Sequence, residues 1–271
     1  MLQRFDLTSL DLPELAPYRT MRGQREHRAQ GFFIAEGGKV VQRLLESELT
    51  IRSMLLPERL VVELEPLLRD RPEDVTVYVA PKEELEKLTG YKLYQGALAL
   101  AQIPAQRTLD SVLRAGPRPR LLAAIEGLAN PENIGVLVRN CAAFGVHALI
   151  TGETCASPWL RRAVRSSMGT IFNVPVVETA SLLNTMRELR SNGIRCVAAH
   201  PRSERRTLAH SDFTQDCCLV FGNEGNGLSP AMLAACDDAV AVPMAGGVDS
   251  LNVGSASAVF LYEAGRQRGL V

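Results

Sequence analysis

The chain has 271 residues, and its 30 Lys+Arg and 30 Asp+Glu give a formal net charge of zero. Its hydrophobic fraction of 46% and charged fraction of 22% are typical of a globular protein, and the length fits one large or two ordinary domains. No apolar run approaches the roughly 18 residues that a membrane span needs. The polar start, with Arg4 and Asp6, does not look like a signal peptide. These numbers argue against a protein coated in positive charge.

Cysteine and histidine spacing predicts no metal site. None of the six cysteines forms a C-x-x-C pair, and the four histidines are scattered along the chain. A chain of this size with ample core residues does not need a disulfide framework, so the sequence predicts a protein of the reducing cytoplasm.

The first part of the chain is predicted to be a small α/β domain over residues 1–113. An opening helix is expected at about Pro13–Ala29. Alternating segments follow, with strands at Phe32–Ala35, Arg52–Leu56, Val75–Val79 and Ala97–Gln102, and helices at Gly38–Glu46, Arg59–Leu68 and Lys82–Leu88. Residues 114–120, with two prolines and a glycine, are predicted to be a linker.

The second part, residues 121–271, alternates more clearly and predicts a doubly wound, mostly parallel sheet. The strands are expected at Arg120–Ile125, Ala148–Ile150, Asn173–Val177, Arg195–Ala199, Cys217–Phe221 and Ala239–Val242. The helices are expected at Ile134–Phe144, Pro158–Ser166, Ser181–Asn192, Pro230–Ala235 and Asn252–Arg266. Ligands of such sheets bind beyond the carboxyl ends of the strands, so the loops that follow strands deserve most weight.

The first such loop is N-P-E-N-I-G-V-L-V-R, residues 130–139. Asn133 is predicted to cap the helix, and Arg139 lies about one and two-thirds turns further along, from where it could reach back to the same end of the sheet. A capped helix with a surface arginine is an equally good interpretation of this spacing.

The second loop is G-N-E-G-N-G, residues 222–227, between an apolar strand and a helix. Its glycines are ordered differently from the dinucleotide-binding G-x-G-x-x-G, and no P-loop Lys-Ser/Thr follows. Because Glu224 would repel a phosphate, the loop suits a cationic ligand or one bound by backbone groups. A glycine-rich turn with a solvated glutamate is the alternative.

The third loop, V-P-M-A-G-G-V-D-S-L-N-V, covers residues 242–253 and leads into the last helix. Ser250 and Asn252 fall at the helix start, where capping is the ordinary role. The small residues Gly254–Ala258 would let this helix pack very closely, either in a tight core or at a subunit interface.

Together the three loops resemble the SpoU/TrmH family of RNA 2′-O-ribose methyltransferases, in the SPOUT superfamily. The family motifs N-x-G-x-x-x-R, G-x-E-G-x-G, [IV]-P-M-x-G-x-x-x-S-L-N-V and L-Y-E match residues 133–139, 222–227, 242–253 and 261–263 in that order. More loosely, F-I-A-E-G at residues 33–37 resembles the ribosomal-protein-like RNA-binding domain of relatives.

The resemblance implies a C-terminal trefoil knot, an S-adenosylmethionine pocket, and a homodimer that packs through the knot region. Arg139 would position the ribose hydroxyl and stabilise the developing alkoxide. The implied catalytic residues are Asn133, Arg139, Glu224, Ser250 and Asn252. The implied cofactor-binding residues are Ala199, His200, Gly222, Asn223, Gly227, Val242, Met244 and Leu251.

RNA contacts are expected from arginine clusters, because the second part of the chain contains no lysine. The first cluster is Arg19, Arg22, Arg25 and Arg28; the second is Arg161, Arg162 and Arg165; and a third follows a strand at Arg202, Arg205 and Arg206. Solvated charged faces are the alternative for each cluster.

The sequence does not identify the RNA substrate, although the extra first domain favours rRNA over tRNA. Two other functions remain as alternatives. A catalytically silent RNA-binding protein with this fold is disfavoured by the intact motif residues, and a nucleotide-dependent oxidoreductase by the missing G-x-G-x-x-G.

Overall fold

The structure is a computed structural model that describes residues 2–21, 29–93, 96–201 and 206–270. Its strands are β1 Leu2–Asp6, β2 Phe32–Glu36, β3 Ile51–Leu56, β4 Val75–Val79, β5 Leu98–Gln102, β6 Leu121–Ile125, β7 Ala148–Thr151, β8 Val176–Glu178, β9 Arg195–Ala199, β10 Cys217–Phe221 and β11 Asp238–Val240. Its α-helices are α1 Ala16–Arg19, α2 Gly38–Leu45, α3 Glu58–Arg69, α4 Lys82–Thr89, α5 Leu109–Ala115, α6 Pro131–Ala143, α7 Arg161–Ser166, α8 Leu182–Ser191, α9 Pro230–Ala235 and α10 Val253–Gln267. Two compact units share these elements: Met1–Ala105 with Ser157–Phe172, and Gln106–Ala156 with Asn173–Val271.

The first unit is built on a five-stranded sheet in the order β1-β4-β3-β5-β2. The first three of these strands run parallel, and β5 is antiparallel to both β3 and β2. Amphipathic helices cover the apolar strands, and α2, for example, turns Val40, Val41 and Leu44 inward. The predicted α/β alternation of this part is thereby confirmed.

The start of the first unit differs from the prediction. A 3₁₀ turn at Pro13–Leu15 and the short α1 occupy the beginning of the expected helix, and residues 22–28 lie outside the described residues. The strand β1 was not predicted, because residues 3–6 are exposed at a sheet edge and lack an apolar alternation.

A segment from the second half of the sequence, Ser157–Phe172, packs in the first unit. The Phe33 ring lies 5.2 Å from Trp159 and 5.7 Å from Phe172 between centroids. Arg43 donates a hydrogen bond of 2.6 Å to the carbonyl oxygen of Met168. A division of the chain at residues 114–120 alone would assign Ser157–Phe172 to the second unit, not to the first. It also lies beyond the change of unit at residues 105–106, because Leu109 and Val112 of α5 belong to the core of the second unit.

The second unit contains a six-stranded sheet in the order β11-β9-β10-β6-β7-β8, in which every pair is parallel. This confirms the doubly wound parallel sheet. The chain runs outward from β6 to β8 on one side and continues with β9 to β11 on the other. The order therefore reverses between β6 and β10, where Ile125 is paired with Phe221. A crevice beyond these two strand ends is the expected ligand site of such a sheet.

Candidate functional site

A cavity of about 460 Å³ lies in the second unit, beyond the carboxyl ends of β9 and β10. The loops after these two strands and the segment that leads into α10 form its walls. All eight residues that the sequence analysis assigned to cofactor binding line this cavity: Ala199, His200, Gly222, Asn223, Gly227, Val242, Met244 and Leu251. Residues as far apart in sequence as Ala199 and Leu251 are thus brought to one cavity by the parallel sheet.

The loop after β10 folds back tightly on itself at Gly222. A Cβ atom at this position would lie 2.3 Å from the carbonyl carbon of Gly227, so only glycine permits the approach. The backbones of Asn223 and Gly227 exchange two hydrogen bonds, of 3.0 and 2.9 Å. The Asn223 side chain also accepts hydrogen bonds from the backbone N–H groups of Gly225 and Asn226. These bonds give the cavity wall a defined shape.

Glu224 at the tip of this loop belongs to a polar chain that reaches two helices. Asn133 Nδ2 donates to Glu224 Oε1 at 2.9 Å, and Asn252 Nδ2 donates to Asn133 Oδ1 at 3.2 Å. Asn252 Oδ1 accepts from the backbone N–H of Gly254 at 2.8 Å. A carboxylate only accepts and a backbone N–H only donates, so both ends of the chain fix the orientation of the two amides. The structure therefore joins three of the five predicted catalytic residues.

The predicted cap of α6 needs a correction. Asn130, not Asn133, is the N-cap, and its side chain accepts from the backbone N–H of Glu132. Pro131 occupies the first helical position, which suits a residue without an N–H donor. Asn133 is consequently one turn into the helix, and its side chain is available for Glu224. Asn252 does cap α10, as the sequence predicts.

The other two predicted catalytic residues are not part of the polar chain that links Glu224, Asn133 and Asn252. Ser250 is exposed and lines the cavity. Arg139 is exposed on α6, and among the described residues it has no hydrogen-bond or ion-pair partner. Most arginines of the second unit are paired, as Arg120 is with Asp216 and Arg190 with Asp237. The guanidinium of Arg139 is thus available to an anionic ligand.

The small residues at the start of α10 serve a tight contact inside the unit. A Cβ atom at Gly254 would lie 2.7 Å from Cγ1 of Val136 on α6. Asn140 reinforces the contact by donating to the carbonyl oxygen of Gly254 at 2.8 Å and to the Ser257 hydroxyl at 2.9 Å. The close α6–α10 packing holds Asn133 beside Asn252. The sequence analysis did not identify Asn140, because its role depends on which helix faces α6.

The arginines expected to contact RNA differ in their surroundings. Arg19 donates to the carbonyl oxygens of Leu10 and Leu12. Arg161 is largely buried and paired with Glu36, which corrects the expected exposed position. Arg165 also reaches Glu36, at 3.4 Å, and Arg162 is exposed. Arg22, Arg25, Arg28, Arg202 and Arg205 lie outside the described residues, and Arg206 pairs with Asp238 at 2.7 Å.

Thiol chemistry is suppressed in the second unit. Burial raises the pKa of the Cys196 and Cys236 thiols to about 12, so both stay protonated at neutral pH. Across the described ranges, no cluster of three or more His, Cys, Asp or Glu side chains could hold a metal ion. No helix in these ranges is long and apolar enough to span a membrane.

Comparison with known proteins places the chain in a family. The model of the SpoU rRNA Methylase family matches residues 120–262. An uncharacterized tRNA/rRNA methyltransferase of Mycobacterium tuberculosis is 33% identical over 269 residues, 96% of this chain and 91% of the relative. The 23S rRNA (guanosine-2'-O-)-methyltransferase RlmB of Ralstonia nicotianae is 33% identical over 198 residues, 73% of this chain and 79% of the relative.

A solved structure agrees with this assignment. The SpoU methyltransferase AviRb from Streptomyces viridochromogenes, in complex with AdoMet, superposes with a TM-score of 0.81 at 27% identity and covers 95% of this chain and 99% of its own. The matched family region contains all three loops that build the cavity and the polar chain. As the sequence motifs predict, the chain belongs to the SpoU rRNA methylase family.

Proposed function

We propose that the protein is an S-adenosylmethionine-dependent methyltransferase that methylates a ribose 2′-hydroxyl of RNA, with rRNA favoured over tRNA. The observation that carries this proposal is the single cavity lined by all eight predicted cofactor-binding residues, with Glu224 in its wall. Two relatives support it: AviRb was solved with AdoMet, and RlmB is named for 2'-O methylation of guanosine in 23S rRNA.

The cavity fits the cofactor in size and charge. Its volume of about 460 Å³ falls in the range of small-molecule sites. The carboxylates of Glu224 and Asp249 lie in its lining and favour a cationic sulfonium over an anionic ligand. Backbone groups at Gly222, Val242 and Leu251 would hold the adenine and ribose. When bound, the cofactor supplies an electrophilic methyl group.

The side chains of the protein have to align the ribose and stabilise the charge that develops on its oxygen. Arginine stays protonated in proteins, so Arg139 is suited to stabilise an alkoxide and grip a neighbouring phosphate rather than to accept a proton. Asn133, Glu224 and Asn252 form a connected set of hydrogen bonds, which would hold the substrate side of the cavity in one arrangement. Ser250 would complete this side.

The proposal includes a homodimer and a trefoil knot. Exposed apolar side chains on α6 and α10 support the dimer: Val136 is 39%, Val259 38% and Tyr262 52% exposed. The path of the chain supports the knot, because after the edge strand β11 it returns across the sheet to pack α10 on α6. RNA would be held by the arginine clusters without the buried Arg161, in the cytoplasm.

The test is a methyl-transfer assay with the full-length protein, labelled S-adenosylmethionine, and either unmodified rRNA or unmodified tRNA. We expect one ribose-methylated nucleoside in rRNA, identified by mass spectrometry, and cofactor binding by isothermal titration calorimetry. Methylation of tRNA alone would overturn the rRNA preference. Cofactor binding without methylation of either RNA would contradict the enzyme assignment and favour a silent RNA-binding protein.

A further inference from the structure

Glu126 lies immediately after β6 and is not among the motif residues of the site. Its backbone N–H continues the pairing of β6 with β10 by donating to the carbonyl oxygen of Phe221 at 2.9 Å. The turn formed by Glu126 and Gly127 therefore begins at the point where the strand order of the sheet reverses. It leads into α6, which carries Asn133.

The Glu126 carboxylate holds the far end of the Gly222–Gly227 loop. Its Oε2 accepts from the backbone N–H of Ser229 at 2.8 Å, and its Oε1 accepts from the Ser229 hydroxyl at 2.7 Å. Ser229 is also the N-cap of α9, since its Oγ accepts from the backbone N–H of Met232. One carboxylate thus fixes both the loop end and the start of the next helix.

The near end of the same loop is tied to the same turn. Asn223 Nδ2 donates to the carbonyl oxygen of Gly127 at 2.6 Å. Its Oδ1 is already occupied by the N–H groups of Gly225 and Asn226, which sets the orientation of the amide. The loop is therefore attached at both ends to the turn at residues 126–127.

Both partners of the Asn133–Glu224 hydrogen bond are therefore connected to the turn at residues 126–127. Asn133 follows the turn in sequence, and Glu224 lies between the two attachment points of the loop. We propose that Glu126 is a positioning residue for the methyl-transfer site: through Ser229 it holds the loop so that Glu224 meets Asn133 at the cavity. This inference rests on the proposed function.

The first experiment measures the loop without any ligand. Glu126→Ala removes both acceptors of Ser229, and Glu188→Ala is the control, because Glu188 is an exposed carboxylate on α8 of the same unit. Hydrogen–deuterium exchange of the peptide that spans residues 222–229 should become at least about tenfold faster in Glu126→Ala and stay unchanged in Glu188→Ala. Unchanged exchange in Glu126→Ala would overturn the proposal, whether or not the protein methylates RNA.

The second experiment tests whether Glu126 acts through Glu224. At a temperature well below unfolding, Glu126→Ala should lower kcat about 10- to 100-fold, because misplacement of a positioned group costs rate. In a double-mutant cycle, adding Glu126→Ala to Glu224→Ala should change kcat less than about twofold. Additive losses would overturn the positioning role. A residue that merely stabilises the fold would lower kcat by the same factor whether or not Glu224 is present.

The two experiments separate failure of this inference from failure of the proposed function. A wild-type protein without methylation and without cofactor binding would contradict the proposed function, while the exchange result would still decide whether Glu126 holds the loop. Ser229→Ala offers a further check, because it removes the hydroxyl contact and the α9 cap but keeps the backbone contact with Glu126. Its exchange rate should fall between those of wild type and Glu126→Ala.

Discussion

The two compact units use polar side chains in contrasting ways. In the first unit, Glu36 is 1% exposed and pairs with the Arg161 guanidinium, which also hydrogen-bonds the Tyr91 hydroxyl at 2.9 Å and lies over its ring. In the second unit, Glu224 is exposed and bonded to a neutral amide, and Arg139 has no partner among the described residues. The buried charge of Glu36 is satisfied by a partner inside its unit, whereas the exposed charge of Arg139 is left available.

The contrast separates structural from functional charge. A buried carboxylate stays charged only with a close partner, so removal of that partner costs folding free energy. An exposed arginine without a partner contributes little to folding and is free to contact a ligand. Position and partners, rather than residue type, therefore distinguish Arg161 from Arg139, although the sequence predicts a functional role for both, Arg161 as an RNA contact and Arg139 as a catalytic residue.

The largest effect is expected for Arg139→Ala. This substitution should lower kcat about 100- to 1,000-fold by removing the group that we propose to stabilise the developing oxyanion, and it should change cofactor affinity less than about twofold. Methyl transfer and calorimetric titration provide the measurements. Arg107→Ala is the matched control, because Arg107 is also exposed and without a partner among the described residues of the same unit. Near-wild-type turnover of the Arg139 variant would show that this exposed arginine has no role in catalysis.

The next effect concerns stability rather than catalysis. Glu36→Ala should lower the free energy of unfolding by about 3 kcal/mol, because it leaves the buried Arg161 guanidinium without its carboxylate. Glu65→Ala removes an exposed partner of Arg69 on α3 and should cost about 0.5 kcal/mol. Denaturant unfolding compares the two variants. Equal losses would show that burial does not distinguish the pairs.

A smaller effect is expected at the turn of the cavity wall. Gly222→Ala forces the backbone at Gly227 to move, which should weaken S-adenosylmethionine binding about tenfold, or roughly 1.4 kcal/mol. Gly246→Ala should leave binding unchanged, because a Cβ at Gly246 meets open space. Calorimetric titration of both variants measures the difference. Unaltered binding by Gly222→Ala would mean that the shape of this turn does not determine the pocket.

The strands were the most predictable part of the fold. Val75–Val79, Arg195–Ala199 and Cys217–Phe221 match their predicted bounds, because each is a short apolar run buried in a sheet. The edge strand β1 lacks this signal, since most of its residues face solvent. The helix α5 was not predicted, because its last two residues fall in the proline-rich stretch, residues 114–120, that the sequence predicts to be a linker.

The site was predictable as a set of loops but not as a network of contacts. The motif residues come together because parallel strands bring their carboxyl ends to one edge. The sequence could not show that Glu224 meets Asn133 rather than Arg139, because this choice depends on the rotation of α6. The one sequence signal for Glu126 is that it directly follows a buried strand. This signal is weak, because the partner of Glu126, Ser229, is distant in sequence.

The position of Ser157–Phe172 bears on how such a protein can be inherited or recombined. This stretch belongs to the first unit in space, yet it is encoded between two strands of the second. Exchange of residues 1–105 between relatives would separate Phe33 and Glu36 from Trp159 and Arg161, which form their contacts. The two units are therefore not interchangeable modules, and a chimera that exchanges the first unit has to carry both stretches together.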